Sequence, residues 1–231
     1  MSDAASISIV VPARDDAPAL ATLFDDLDAI GDLRAERIVV DGQSSDGSFA
    51  VARSRADVAL QVAPGRAAQL SAGIAASTGD WIWMLHADTR VPGQAWDALR
   101  LAVREERAVW GRFDVRLDAP GWPYRIIGAA MNARSRLTGI CTGDQGIFVR
   151  RTALDSIGGV PLQPLMEDVE LSRRLKRRAR PTCVEAHLVT SARRWQRRGV
   201  VPTILLMWRL RLQYFFGAAP DALARVYYDG R

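Results

Sequence analysis

The sequence is poor in cysteine and has no long apolar run, and each shortage narrows the possible classes of protein. Its 231 residues include only two cysteines, Cys141 and Cys183. Two cysteines are too few for a disulfide framework or a four-cysteine zinc site. No stretch approaches the ~20 apolar residues that a membrane-spanning helix needs. The first five residues lack the basic and apolar regions of a signal peptide, so we expect a cytoplasmic protein.

Lysine is also scarce, and charge is divided unevenly along the chain. Only one of the 31 basic residues is a lysine, Lys176. The first 115 residues contain 11 basic and 17 acidic side chains, whereas the remaining 116 contain 20 and 9. A basic second half is compatible with binding to nucleic acid, to an anionic membrane or to a phosphorylated substrate. It is equally compatible with solvated helix faces, which explain much of the cluster over residues 173–180.

Short apolar runs alternate with amphipathic segments as far as Pro92. The runs predict strands and the amphipathic segments predict helices, in the order strand 7–12, helix 17–30, strand 37–41, helix 49–56, strand 58–62, helix 66–77, strand 81–85. This order is typical of an α/β fold in which crossover helices connect a parallel sheet. Dinucleotide and P-loop glycine fingerprints are both missing.

After Pro92 the pattern becomes mixed. Residues 110–117 alternate between apolar and polar, which predicts a half-exposed strand. Further elements are predicted as strands 146–149 and 183–189 and an amphipathic helix 169–178. We therefore expect one domain over residues 1–231, with a nucleotide-binding half over about 6–92, a catalytic half over about 93–200 and a helical tail over about 201–231.

Three aspartates follow predicted strands of the first half. Asp15 follows the first strand, Asp41 ends the second and Asp88 follows the fourth. In open α/β sheets the ligand lies at the carboxyl ends of the strands. Since no glycine loop is available to hold phosphates, a cation is needed, and a carboxylate such as Asp88 is a ligand for Mg²⁺ or Mn²⁺. Each aspartate taken alone also fits an ordinary polar turn.

Two further segments have a functional and a structural interpretation. Glu167 and Asp168 begin an amphipathic helix, where acidic residues complement the helix dipole, but one of two adjacent carboxylates could also act as a general base. The segment 191–199 contains four arginines and Trp195. Arginine binds phosphate through a planar fork, although a solvated loop is the alternative.

The order of these motifs is more specific than any one of them. Along the chain follow Val-Val-Pro-Ala-Arg-Asp at 10–15, Asp-Gly-Gln-Ser-Ser-Asp-Gly at 41–47, His-Ala-Asp at 86–88, Gly-Asp-Gln-Gly at 143–146, Glu-Asp at 167–168 and Arg-Trp at 194–195. Over residues 6–200 the chain resembles the family 2 inverting glycosyltransferases with the GT-A fold. It is most similar to a small bacterial subgroup with a His-Ala-Asp triplet, some members of which are connected with arsenosugar synthesis.

The resemblance implies a role for each matching residue. Nucleotide-sugar contacts would come from Pro12, Ala13, Asp15, Asp41, Gly65, Arg66, His86, Arg194 and Trp195. Asp88 would bind the divalent metal, and Asp168 would be the catalytic base beside Glu167. Three positions depart from the family pattern: Gly42 and His86 stand where many members have aspartate, and Ser191 replaces the glutamine of related polymer synthases.

The resemblance implies a transferase that moves a sugar from a UDP- or GDP-type donor to an acceptor hydroxyl, with Mg²⁺ or Mn²⁺ as cofactor. A sugar-phosphate nucleotidyltransferase is disfavoured because a glycine-rich basic loop is missing after the first strand. A third possibility is a basic module that binds membrane or nucleic acid without catalysis. We expect no nucleic-acid partner, and the sequence identifies neither the acceptor nor the oligomeric state.

The segment 202–217 is bracketed by proline and glycine and predicts a helix. Its face formed by Ile204, Leu205, Trp208, Leu212, Phe215 and Phe216 is apolar. The helix could pack on the domain or on a second subunit. Alternatively, it could lie on the inner surface of the cytoplasmic membrane, with Arg197, Arg198, Arg209 and Arg211 near anionic headgroups.

Overall fold

A computed structural model describes residues 5–228 of the chain. Its strands are Ile7–Ala13 (β1), Ala35–Asp41 (β2), Val58–Gln61 (β3), Trp81–Met84 (β4), Trp110–Leu117 (β5), Phe148–Arg150 (β6) and Thr182–Thr190 (β7). Its helices are Ala17–Asp28 (α1), Ser48–Arg55 (α2), Arg66–Ala76 (α3), Gly93–Arg104 (α4), Trp122–Thr138 (α5), Arg151–Asp155 (α6), Glu167–Lys176 (α7), Arg193–Arg198 (α8), Val200–Phe215 (α9) and Pro220–Tyr228 (α10). A 3₁₀ turn covers Gly143–Gln145.

The strands form one seven-stranded sheet in the order β3-β2-β1-β4-β6-β5-β7. The pairs β3-β2, β2-β1, β1-β4 and β5-β7 are parallel, whereas β6 is antiparallel to both of its neighbours. The predicted α/β fold with a mostly parallel, mixed sheet is therefore confirmed. In the register of the central strands, Ala13 lies beside Asp41 and Val10 beside Met84, so the loops after β1, β2 and β4 meet at one edge.

Apolar side chains cover both faces of the sheet. One core cluster joins α1 and α4 to the sheet, and the other joins α3, α6 and α7 to it. The prediction that residues 110–117 form a half-exposed strand is wrong, because only Arg116 of β5 is exposed. Two polar residues of the alternation, Arg112 and Asp114, are buried because they form an ion pair with each other. Helix α5 packs on β5, and its Arg136 forms a second ion pair with Asp114.

Helices α4, α5 and α6 of the second half were not predicted, whereas α9 and α10 lie within the predicted helical tail. The basic segment 191–199, for which a solvated loop was the structural alternative, contains the short helix α8. Helix α9 begins and ends within two residues of the predicted 202–217 segment. On one side α9 packs through Leu210 against Met166 and Leu223 of α10. Among residues 5–228 no helix has the length and apolar character to cross a bilayer.

Candidate active site

The loop after β2 is organised by Asp41. This carboxylate is fully buried and accepts hydrogen bonds from the Ser44 backbone N–H at 2.9 Å, the Ser44 hydroxyl, and Gln61 Nε2 at 3.0 Å. A buried carboxylate needs such donors, because an unpartnered buried charge is very costly. The structure thus shows Asp41 shaping the loop 42–47, and its predicted contact with a nucleotide base stays a prediction.

Side chains connect the loop after β1 to the loop after β2. Asp15 has a left-handed backbone (φ +48°) and accepts a hydrogen bond from the Ser45 backbone N–H at 2.8 Å. The Ala13 carbonyl accepts hydrogen bonds from the Gly42 N–H at 2.8 Å and from Gln69 Nε2 at 2.9 Å. Gln69 also donates to the carbonyl of Val40 and is buried. These contacts fix Pro12, Ala13 and Asp15 at the sheet edge beside Asp41.

Asp88 follows β4 and interacts with an arginine from the far end of the chain. Its Oδ2 lies 3.4 Å from Arg193 Nη2, and the same guanidinium donates to both carboxylate oxygens of Asp16, through Nη1 at 2.9 Å. The hydrogen bonds to Asp16 raise the pKa of Arg193 above its ordinary value. Arg193 therefore connects α8 to the loops after β1 and β4.

His86 is held in its neutral form. Burial and the neighbouring charge of Arg66 lower the pKa of its imidazole to about 3. Its Nδ1 lies 3.3 Å from Asp144 Oδ1, and this contact favours the tautomer with the hydrogen on Nδ1 and a lone pair on Nε2. Within residues 5–228, Nε2 is buried and has no hydrogen-bond partner. The imidazole can accept a hydrogen bond from a ligand at this atom.

Glu167 and Arg66 form an ion pair at the start of α7. Arg66 Nε lies 3.1 Å from Glu167 Oε1, and the glutamate is 5% exposed. Burial raises the pKa of Glu167 despite the nearby guanidinium. Burial also opposes the charge of Arg66, but the carboxylates of Glu167, Asp168 and Asp144 keep its pKa above the ordinary value. Arg66 is thus a permanent cation beside the predicted catalytic pair, and its predicted contact with the nucleotide sugar stays a prediction.

Asp168 is half-buried and held by backbone groups. Its Oδ2 accepts a hydrogen bond from the Gly143 N–H at 2.8 Å, and its Oδ1 accepts one from the Val169 N–H at 2.7 Å. The residue that precedes the pair, Met166, has a left-handed backbone (φ +64°), which is strained for a side chain of this size. Packing of Met166 against Leu210 and Leu223 holds this conformation and fixes the direction of the two carboxylates.

Gly143 brings these groups together. A Cβ at this position would lie 1.6 Å from Arg66 Nη2 and 2.4 Å from His86 Nε2, so any other residue has to displace both side chains. A small pocket at this point is lined by Pro12, Arg66, His86, Gly143, Glu167 and Asp168, together with apolar side chains from β4, α3 and α7. The structure therefore places residues from the end of β1, the His-Ala-Asp triplet and the Glu-Asp pair around one cavity.

The fold and this geometry match a known family. The family model for Glycosyl transferase family 2 matches residues 8–158. The chain belongs to this family. A search of curated proteins gave no match.

Solved structures of glycosyltransferases share the fold. A mannosyltransferase from Pyrobaculum calidifontis in complex with GDP-Man and Mn²⁺ has 20% identity and a TM-score of 0.65, over 91% of this chain and 61% of that one. Staphylococcus aureus TarS 1–349 has 15% identity and a TM-score of 0.65, over 81% and 60%. Glucosyl-3-phosphoglycerate synthase from Mycobacterium tuberculosis has 19% identity and a TM-score of 0.61, over 80% and 71%. This family 2 chain spans about 60% of the length of the first two.

Not every predicted site residue reaches the pocket of this family member. The Arg194 guanidinium lies 4.8 Å from the centre of the Tyr227 ring, and its charge also acts on His86. Trp195 packs in a small apolar cluster with Ile127 and Ala192. Gly65 precedes α3 with a φ of +154°. The predicted nucleotide contacts of these three residues stay predictions.

The donor set for a divalent metal is small. Within residues 5–228 no group of three or more histidine, cysteine, aspartate or glutamate side chains is arranged to hold a metal ion. Asp88 is a hard oxygen ligand at the edge where the β1, β2 and β4 loops meet, which suits Mg²⁺ or Mn²⁺ when other ligands come from phosphate and water. The site therefore fits a metal that binds together with a diphosphate.

Sequence reasoning assigned no role to three residues of this site: Gly143, Asp144 and Arg193. The Gly-Asp-Gln-Gly motif was visible, but a tight polar loop explained it equally well. Arg193 is one of four arginines in a nine-residue segment, and nothing in the sequence distinguishes it from its neighbours. Its contacts with Asp16 and Asp88 join positions 177 and 105 residues apart and become apparent only in the fold.

Proposed function

We propose that the protein is an inverting glycosyltransferase that moves a sugar from a nucleoside diphosphate donor to an acceptor hydroxyl. The observation that supports this most strongly is the pocket at which Asp168, Glu167, Arg66 and His86 converge beside the carboxyl ends of β1 and β4. Family 2 membership and the GDP-Man, UDP and Mn²⁺ complexes of similar structures support the same donor class.

Asp168 acts as the general base. The acceptor hydroxyl gives its proton to the carboxylate of Asp168 while its oxygen forms a bond to the anomeric carbon of the donor sugar. The bond from that carbon to the diphosphate breaks on the opposite face, and its electron pair leaves with the nucleoside diphosphate. Backbone hydrogen bonds from Gly143 and Val169 hold the carboxylate in place, and Glu167 positions Arg66.

The leaving diphosphate needs positive charge. Arg66, Arg193 and Arg194 supply fixed cations from three directions, and arginine matches phosphate oxygens in a bidentate manner. Asp88 would hold a divalent ion, which would supply further positive charge as a Lewis acid. Asp15, Asp41 and Gly65 with the Pro12-Ala13 turn contact the base and ribose, and His86 accepts a hydrogen bond at Nε2 from a donor hydroxyl.

A thermal-shift panel of UDP-sugars and GDP-sugars, each with Mn²⁺ or with EDTA, tests this proposal. A donor that binds only the folded state stabilises it by about 2.7 kcal/mol at a hundredfold excess over Kd. We expect one nucleotide to raise Tm with Mn²⁺, and Asp88→Asn to abolish the effect of Mn²⁺ without lowering the Tm of the free protein. Salt-sensitive binding to DNA without any nucleotide effect would instead favour a non-enzymatic basic module.

The exposed side of α9 supports a peripheral location on an anionic membrane. Its apolar stripe is Val201, Leu205, Trp208, Leu212, Phe215 and Phe216, each 59–82% exposed. At 3.6 residues per turn, Arg209 and Arg211 lie roughly 70–90° to either side of this stripe. Residues 191–219 include six arginines and no acidic residue. A second copy would bring like charges together, whereas anionic headgroups neutralise them.

Flotation with phosphatidylglycerol-containing vesicles and with pure phosphatidylcholine vesicles tests this location. We expect the wild-type chain to float with the anionic vesicles only, and Leu205→Glu with Trp208→Glu to remain in the soluble fraction. Leu101→Glu, on α4 and 66% exposed, is the matched control and should float. Equal recovery of all three proteins from the soluble fraction contradicts membrane contact, and a concentration-dependent dimer would assign the stripe to a subunit interface.

A further inference from the structure

The side chain of Arg134 on α5 has no carboxylate partner among residues 5–228. Its Nε and Nη2 atoms are buried, and neither has a hydrogen-bond partner within the described part of the chain. The charged groups that act on it most strongly are the carboxylates of Asp168 and Asp144. These carboxylates are directed to other groups, since Asp168 accepts from the Gly143 N–H and Asp144 lies against His86.

Four other arginines near this site have a carboxylate partner. Arg66 pairs with Glu167, Arg112 and Arg136 share Asp114, and Arg193 binds Asp16. Arg134 differs from these four because it has no carboxylate within ion-pair distance among the described residues, and burial lowers its pKa. A guanidinium stays charged even so, and a buried charge without a partner destabilises the folded state. A buried guanidinium without a carboxylate partner is suited to binding an anionic ligand.

The position of Arg134 distinguishes the acceptor from the donor. The proposed donor contacts come from the loops after β1, β2 and β4, whereas Arg134 belongs to α5 in the second half of the chain. Its neighbour Ser135 accepts a hydrogen bond from Gln145 Nε2, in the 3₁₀ turn whose Gly143 N–H binds Asp168. The acceptor must present its hydroxyl to Asp168. We propose that Arg134 binds an anionic group of the acceptor, a phosphate or a carboxylate, and so selects acidic acceptors. This inference rests on the proposed transferase activity.

The bidentate fork of arginine matches the two oxygens of either group. Nε and Nη2 form one edge of the guanidinium, so two parallel hydrogen bonds can form from the two unpartnered atoms. Binding would supply the missing counter-charge and place the acceptor hydroxyl at the base. A neutral acceptor would leave the cation uncompensated, which is the physical basis of the proposed selectivity.

Binding of small anions to the UDP- and Mn²⁺-saturated protein tests the proposal. The probes are 3-phosphoglycerate, glycerol 3-phosphate and glycerate, with glycerol as the neutral control. We expect the anions to raise Tm of the wild type and glycerol to have no effect. Arg134→Gln should weaken anion binding at least tenfold, whereas Arg125→Gln, at an exposed position of the same helix, should match the wild type. Arg134→Lys, which keeps the charge but loses the fork, should give an intermediate affinity.

Two further measurements distinguish an arginine that binds the acceptor from one that binds the donor or supports the fold. UDP affinity should change less than twofold in Arg134→Gln; a tenfold loss would assign the residue to the donor diphosphate and overturn the proposal. Arg134→Met should raise Tm of the ligand-free protein, whereas a structural arginine would lower it. Anions that fail to bind the wild type, or that bind Arg134→Gln equally well, also overturn it. If UDP does not bind the wild type, GDP replaces it in every titration. Failure of both nucleotides to bind contradicts the proposed function instead, and the anion titration is then repeated without nucleotide.

Discussion

At the scale of single residues, Asp168 and Glu167 are adjacent carboxylates with different surroundings. Asp168 is half-buried and accepts backbone hydrogen bonds, whereas Glu167 is buried against Arg66. Asp168→Asn should lower kcat by about 10²–10⁴-fold and leave the nucleotide Kd within a factor of about three, because a general base acts in the transition state. Steady-state kinetics and nucleotide titration check this. If nucleotide binding falls in parallel with kcat, Asp168 belongs to the donor site, and a larger loss in Glu167→Gln would exchange the two roles.

His86 should make folding stability depend on pH. Its pKa is about 3 in the folded state and about 6.5 in the unfolded state, so the unfolded state binds the proton first as the pH falls. The stability is therefore full above pH 6.5 and is lost progressively toward pH 3. Between pH 7 and pH 5 the free energy of unfolding should fall by about 2 kcal/mol from this group. Urea unfolding at both pH values should show a smaller difference in His86→Gln; an unchanged difference would show that His86 is not buried in its neutral form.

The sequence predicts some of the site residues and not others, for a physical reason. Asp88 and Asp168 stand next to recognisable local patterns, a strand end and a helix start. Arg134 and Arg193 do not, because their contacts come from distant parts of the chain and arginine is the commonest basic residue here. Whether a side chain has a partner is a property of the fold.

At the scale of elements, the 3₁₀ turn at Gly143 holds the catalytic groups in place. Gly143→Ala should displace Arg66 and His86 and shift the N–H that holds Asp168. We expect a cost of about 1–3 kcal/mol from overpacking and at least a tenfold loss of kcat. Gly93→Ala in α4, where a Cβ meets nothing within 4 Å, is the control and should keep full activity. Normal activity in Gly143→Ala would show that the turn adapts freely.

Helix α9 has one face in the core and one in solvent. Leu210 is fully buried against Met166, and Leu212 on the same helix is 59% exposed. Leu210→Ala should cost about 2–5 kcal/mol and should also reduce kcat, because Met166 directs Glu167 and Asp168. Leu212→Ala should change the free energy of unfolding by less than about 0.5 kcal/mol. Equal effects of the two substitutions in denaturant unfolding would contradict this packing.

Periodicity located the elements of the first half better than those of the second. Strands β1, β2 and β4 are short β-branched or aromatic runs, and their limits fall within two residues of the prediction. The exposure of β5 was predicted wrongly because Arg112 and Asp114 occupy alternate positions, as residues on a solvent-exposed face do. Their mutual ion pair allows both to be buried. Helix α5 has apolar residues on several sides, with Trp122, Ile126 and Leu137 exposed, so it lacks a clear amphipathic stripe.

At the scale of the whole molecule, the sheet explains why the motifs converge. Parallel strands β1, β2 and β4 end at one edge, and the second half returns through β6 and α7 to place Asp168 beside His86. The order of the motifs predicted this family and fold. The sequence shows that the second half of the chain is basic. Which of its arginines contribute to the site depends on the fold.

The central claim is transfer with inversion from a nucleotide sugar, with Asp168 as the base. The most direct test is proton NMR of the sugar that is first released when the protein is incubated with the donor found in the binding panel, with water as acceptor. From an α-linked donor, we predict that the β-anomer forms first and that Asp168→Asn releases at least a hundredfold less. First release of the α-anomer, or undiminished release by Asp168→Asn, would contradict this claim.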